Sequence, residues 1–244
     1  MRGVFTGCAG LFLLAFLTGC QTPNPLAGSP LWTPSDSVTR AEAMSIADAY
    51  AKHRWKATNT NVFHGKDQQG VSVDTPDAGY KPKQSFAGWW KSGEWNTGVP
   101  YKWGGFDTPA EFDACVKSCM YAGDVFTPQK REMNNSAVSQ HTAGVDCSGF
   151  ISRCWRLSAP FSTYEIHQLC ETLPDFESLR PGDVVNKENE HILLFVGWTD
   201  SEHTLMDVYD VGCPPNWKVA KHNTYTAWLK KYGYKPLRYN GMND

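Results

Sequence analysis

The apolar pattern of this chain changes period between Thr172 and Val184, and that switch limits the folds open to it. Upstream, apolar residues recur at three- and four-residue spacing, the mark of helices with one buried face. Thr39 and Glu42 form a capping box that predicts a helix to about Trp55, with Ala43, Ile46, Ala47 and Tyr50 on one side. Thr108 caps a second helix starting at Pro109, which aligns Phe112, Cys115, Val116 and Cys119. A third is expected from Pro128 to about Gln140, another opens at Cys147, and Ser162 to Thr172 reads as one more. Downstream the spacing shortens. Leu179-Arg180-Pro181-Gly182-Asp183 is a turn into Val184-Val185, His191 to Trp198 is a dense apolar strand, and Thr204 to Val211 alternates. Ser201-Glu202-His203 is the hairpin turn between those strands; a short helix around Tyr225 to Tyr232 and a strand from Lys235 to Tyr239 follow. Helices first and an antiparallel sheet second is an α+β layout.

A chain of 244 residues holds one sizeable domain, or one with a smaller partner. With 41% apolar and 13% aromatic residues it can build a core, which argues against extensive disorder. The formal net charge is −2 and no basic run occurs, so nucleic acid is not an expected partner. Neither a CxxC pair nor an HExxH helix is present, so no metal or cofactor is expected.

The chain divides unevenly. Residues 1–19 read as a secretory leader, with Arg2 before an apolar run from Val4 to Leu17. Leu17-Thr18-Gly19-Cys20 resembles a bacterial lipoprotein processing box, which would make Cys20 the lipid-bearing N-terminus. Gln21 in place of aspartate fits onward sorting to the outer membrane of a double-membrane bacterium; otherwise the anchor is at the outer face of the plasma membrane. Residues 20–37, with Pro23, Pro25, Pro30 and Pro34, form a tether. Residues 38–95 read as an N-terminal extension wrapped on a main domain at 96–244. An exported chain meets an oxidising compartment, and Cys115, Cys119, Cys147, Cys154, Cys170 and Cys213 remain for it. With Cys147 kept as a thiol, at most two disulfides form; Cys115 and Cys119 are spaced for a local pair.

Cys147 stands between Asp146 and Ser148-Gly149, directly before an apolar helical pattern of Phe150, Ile151, Cys154 and Trp155. The first turn of a helix offers unpaired N–H groups and the positive end of the dipole, and such a place favours thiolate over thiol. A cysteine nucleophile also needs a base and a group to orient that base. Of the seven histidines, His191 begins the strongly apolar strand, which fixes its backbone at the rim of the sheet.

Four motifs together carry a resemblance: Val99-Pro100-Tyr101-Lys102-Trp103-Gly104-Gly105, Asp146-Cys147-Ser148-Gly149-Phe150, Arg180-Pro181-Gly182-Asp183, and His191-Ile192-Leu193-Leu194-Phe195-Val196-Gly197. In this order they resemble the NlpC-type cell-wall cysteine endopeptidases, over roughly residues 95–240. The resemblance implies a papain-like fold, with the cysteine-bearing helix packed on an antiparallel sheet. It also implies hydrolysis of amide bonds in peptidoglycan stem peptides, commonly between D-γ-glutamyl and a diamino acid. Carried across, Cys147 matches the nucleophile and His191 the general base. Asp210 best matches the third polar residue, with Asp207 and His203 as alternatives. Tyr101 matches a tyrosine that reaches toward the nucleophile, and Asp146 and Ser148 match positions lining the substrate groove. The chain departs from the family between Gly105 and Asp146, where an insertion at about 106–145 replaces a short connection. Two other readings compete: a papain-like amidase or acyltransferase on a non-murein amide or lipid, and a module that binds wall peptides without cutting them.

Overall fold

The capping box read at Thr39 and the cap read at Thr108 open helices as expected. The computed structural model describes residues 32–82, 86–212 and 217–244; the leader, Cys20, most of the tether and Cys213 lie outside the described residues. Helix α1 (Arg40–Lys52) starts where the Thr39 hydroxyl accepts the Glu42 N–H at 3.2 Å and Glu42 accepts the Thr39 N–H at 2.8 Å. It ends short of Trp55. Arg54–Lys56 instead forms a strand beside Trp95–Thr97, and the Trp55 indole N–H donates to the Gly98 carbonyl at 2.9 Å. Helix α2 (Pro109–Lys117) has the same box from Thr108 and Glu111. Helix α3 (Pro128–Met133) stops well before Gln140, because Asn134 takes φ +49° and a short 3₁₀ turn, Asn134–Ala137, follows. Helix α4 (Cys147–Cys154) is capped by Asp146, and α5 (Thr226–Lys231) lies near the chain end. Ser162 to Thr172 is not a helix. It makes one 3₁₀ turn, Ile166–Leu169, then pairs as a strand with Leu237–Tyr239, so the sheet edge outcompetes local helix signals.

Six strands form the main sheet: β1 (Cys170–Thr172), β2 (Val184–Lys187), β3 (His191–Trp198), β4 (Leu205–Asp210), β5 (Ala220–Tyr225) and β6 (Lys235–Tyr239). Their order is β5-β4-β3-β2-β6-β1, and every neighbouring pair is antiparallel. The architecture is α+β. Strand β5 escapes sequence reading because it is an edge strand whose Lys221-His222-Asn223-Thr224 lacks an apolar alternation.

The sheet is covered on both faces. Ile192 and Leu194 of β3 join a core with Phe150 and Ile151 of α4 and Ile46 and Tyr50 of α1. Leu193 and Phe195 join a second cluster with Met206 and Val208 of β4 and Leu229 of α5. The alternation on β3 therefore serves two cores, which is why the segment reads as a solid apolar run. Residues 38–95 belong to the first of those cores. Tyr50 meets Phe150 edge-on at 5.5 Å, Trp90 is fully buried, and Val38–Thr39 pairs with Met242–Asn243 near the far end of the chain.

Asp183, in the Pro-Gly-Asp turn, is fully buried and locks these layers together. It accepts Arg40 of α1 at 2.9 Å, Arg238 of β6 at 2.7 Å and the Arg180 N–H at 2.9 Å. Removing one partner of a buried ion pair leaves the other uncompensated. Asp183→Asn should therefore lower unfolding free energy by about 3 kcal/mol, measured by urea denaturation.

Candidate active site

The seat of Cys147 is built from backbone. Asp146 turns its carboxylate onto the helix it caps, where Oδ1 accepts the Gly149 N–H at 2.6 Å and the Ser148 hydroxyl at 3.1 Å. Burial pushes the Asp146 carboxyl up, against the hydrogen bond from Gly149. The loop through Tyr101 and Gly105 lies across the helix start: Lys102 N–H donates to Val145 at 3.1 Å, and Asp146 N–H donates to the Gly105 carbonyl at 3.1 Å. A Cβ at Gly149 would sit 2.0 Å from that Gly105 oxygen. The glycine of Cys-Ser-Gly is thus required by close approach of two backbones, and Cys147 becomes the first residue of α4.

Because Phe150 and Ile151 share a core with Ile192 and Leu194, the helix start comes beside the start of β3, where His191 stands. His191 Nε2 lies 2.8 Å from Asp210 Oδ1, and Cys147 lies close enough to His191 to raise its pKa together with that carboxylate. With Nε2 committed to Asp210, Nδ1 is the ring nitrogen left for sulfur. Asp210, at the end of β4, has its second oxygen 3.1 Å from Nε2 of His222 on β5. The other His222 nitrogen, Nδ1, is 3.0 Å from the Asn223 carbonyl. A carbonyl and a carboxylate both accept, so this pair of contacts favours the doubly protonated ring of His222.

These contacts shift the charges in a consistent direction. Burial opposes ionisation of Asp210, yet the charge and hydrogen bond of His191 and those of His222 hold its carboxyl well below the usual range. Burial likewise opposes the His191 cation, but Asp210 and Cys147 raise its pKa well above the ordinary value. His222 is raised by its hydrogen bond to Asp210, against burial.

The other candidates are engaged elsewhere. Asp207 receives Lys221 at 2.6 Å and the Asn223 amide, and His203 stacks on Trp198 at 4.4 Å in the hairpin turn. Tyr101 is buried against Trp217, at 5.5 Å between ring centres; burial pushes its phenol well up, with the nearby Cys147 adding to the effect. Among the thiols, Cys154 is buried and raised well above its ordinary pKa, while burial pushes Cys170 up to about 12. Such thiols are inert. Cys119 is an exposed free thiol beyond the end of α2 at φ +65°, so the expected local pair with Cys115 is not formed. Cys147 is a free thiol at intermediate exposure.

The insertion adjoins this centre. Asp124 is fully buried and paired with Lys130 of α3, and burial lifts its carboxyl to about 6 against that pairing. Its N–H donates to the Tyr101 carbonyl at 2.8 Å, which ties the insertion to the loop over Cys147. Trp103 packs on Phe126 at 5.5 Å, with the Arg131 guanidinium 4.7 Å over the Phe126 ring. Among the described residues no group of three or more His, Cys, Asp or Glu is placed to hold a metal ion. His222 is the site residue that sequence reasoning did not single out, since nothing marked β5 as a strand.

No protein-family model, curated protein or solved structure matches the chain.

The raised pKa values of His191 and His222 mean that the folded protein binds protons the unfolded chain releases above about pH 6.5. Their stabilisation is complete below that pH and is lost as pH rises through the folded values. Urea stability should accordingly fall on raising the pH above 6.5, and Asp210→Asn should flatten that slope; an equal slope in the variant would contradict the assignment.

Proposed function

We propose that this protein is a cysteine peptidase of the NlpC type, with a papain-like fold, that hydrolyses amide bonds in peptidoglycan stem peptides. The observation that carries the reading is the grouping Cys147–His191–Asp210, in which one imidazole is hydrogen-bonded to a buried carboxylate and lies near a helix-start thiol. A protonated His191 is the counter-ion for a Cys147 thiolate. The sulfur attacks the amide carbonyl carbon and a C–S bond forms as the carbonyl π electrons move to oxygen. The backbone N–H of Cys147, in the first helical turn, contributes to the oxyanion hole. The intermediate collapses by breaking the C–N bond, and His191 gives its proton to the leaving amine. Water then attacks the thioester, His191 takes the water proton, and the C–S bond breaks to restore the thiolate. Asp210 holds the tautomer and orientation of His191 throughout.

The choice of stem peptides rests on the four ordered motifs, and the D-γ-glutamyl–diamino acid bond is the expected point of cleavage. The lipoprotein-like leader supports anchorage through Cys20 at the bacterial envelope, where such peptides are within reach. The insertion favours a second substrate reading, because Trp103, Phe126 and Arg131 belong to it or pack on it beside the Tyr101 loop. In that reading the same nucleophile acts as an amidase or acyltransferase on a non-murein amide or lipid.

Incubation with purified muropeptides, followed by mass analysis, tests the proposal. Wild type should release fragments cut within the stem. Cys147→Ala should lose activity by roughly 10⁴-fold or more. Intact muropeptides after incubation with wild type, or equal cleavage by the variant, would reject the murein peptidase.

A further inference from the structure

We propose that His222 is a positioning residue of this centre, pinning one oxygen of Asp210 so that the other stays on His191. The proposal rests on the cysteine-nucleophile reading above, but on none of its substrate claims. Strands β4 and β5 pair with Val208 opposite His222 and Asp210 opposite Ala220, so His222 reaches Asp210 along the diagonal of the ladder. The Asp210 side chain is only 3% exposed, so water gives its second oxygen little alternative partner. A carboxylate held at one oxygen can swing about its terminal torsion; donors on opposite oxygens remove that freedom. The His222 ring is itself fixed, since Nδ1 is tied to the Asn223 carbonyl.

From His191 through Asp210 to His222 the shifts favour charges of alternating sign. The groups that act on His222 are Asp210 from β4, His191 from β3 and the carbonyl of its neighbour Asn223; Cys147 of α4 acts on His191. A second cation shares the charge of Asp210. His191 therefore holds its proton less firmly than it would against an unshared carboxylate, which suits a group that must hand that proton to a leaving amine.

Iodoacetamide alkylation of the full chain, read at the Cys147 peptide by mass analysis across a pH series, tests this without any substrate. His222→Ala should slow alkylation about tenfold at neutral pH, the scale of losing the outer partner that orients a functional imidazole. In His222→Gln the amide nitrogen takes the place of Nε2, so the rate should stay near wild type. Loss of the second charge should move the alkaline limb of its profile upward. Thermal melting verifies that both variants are folded. An unchanged rate and profile in folded His222→Ala, or an equal loss in both variants, would overturn the positioning role. Alkylation that behaves as expected in a protein that cuts no murein would reject the murein reading and leave this one standing.

Discussion

Two backbones meet where Gly149 lies under the carbonyl of Gly105, and the seat of Cys147 at the start of α4 depends on that contact. A helix N-terminus is useful chemically only if its first residue is held in one place. Here the capping carboxylate, the loop carbonyl and the missing side chain at Gly149 fix it from three directions. The apolar side of α4 then presses on β3, and the strand delivers His191 beside the sulfur. The glycine is the smallest part of the motif and the one with least freedom to change.

Electrostatics completes what packing begins. A buried carboxylate is costly unless paired, and Asp210 is paired twice, by imidazoles on the two strands that flank its own. The same logic applies to the thiols Cys154 and Cys170: burial makes both reluctant to ionise, and the Asp183 carboxylate adds to the effect at Cys170.

The parts that first look peripheral carry load for this centre. Helix α1 backs α4 through Tyr50 and ties into the Pro-Gly-Asp turn through Arg40 and Asp183. The insertion braces the Tyr101 loop through Asp124, whose own charge is balanced by Lys130. Both segments share buried surface with the main sheet in the core on which Cys147 packs.

Local signals were legible in the sequence where the chemistry is local. The capping box at Thr39, the cap at Thr108, the turn at Gly182 and the apolar run after His191 all act within a few residues, and each yields its element. Cys147 and His191 could be picked out because each begins such an element. Where two local tendencies compete, the sequence misleads: Trp55 and Cys170 carry helical spacing but end in strands, because pairing partners far along the chain bind them. The choice among Asp210, Asp207 and His203 belongs to tertiary structure as well. Only the register of β4 against its neighbours decides which carboxylate meets an imidazole and which meets Lys221. His222 lay furthest from view, since an edge strand buries too little to write an apolar pattern, and its role exists only through a contact across the ladder. Sequence by itself determined the helix start that bears Cys147 and the strand start that bears His191; the fold decided what stands behind that imidazole, because hydrogen bonds between strands depend on register and not on spacing along the chain.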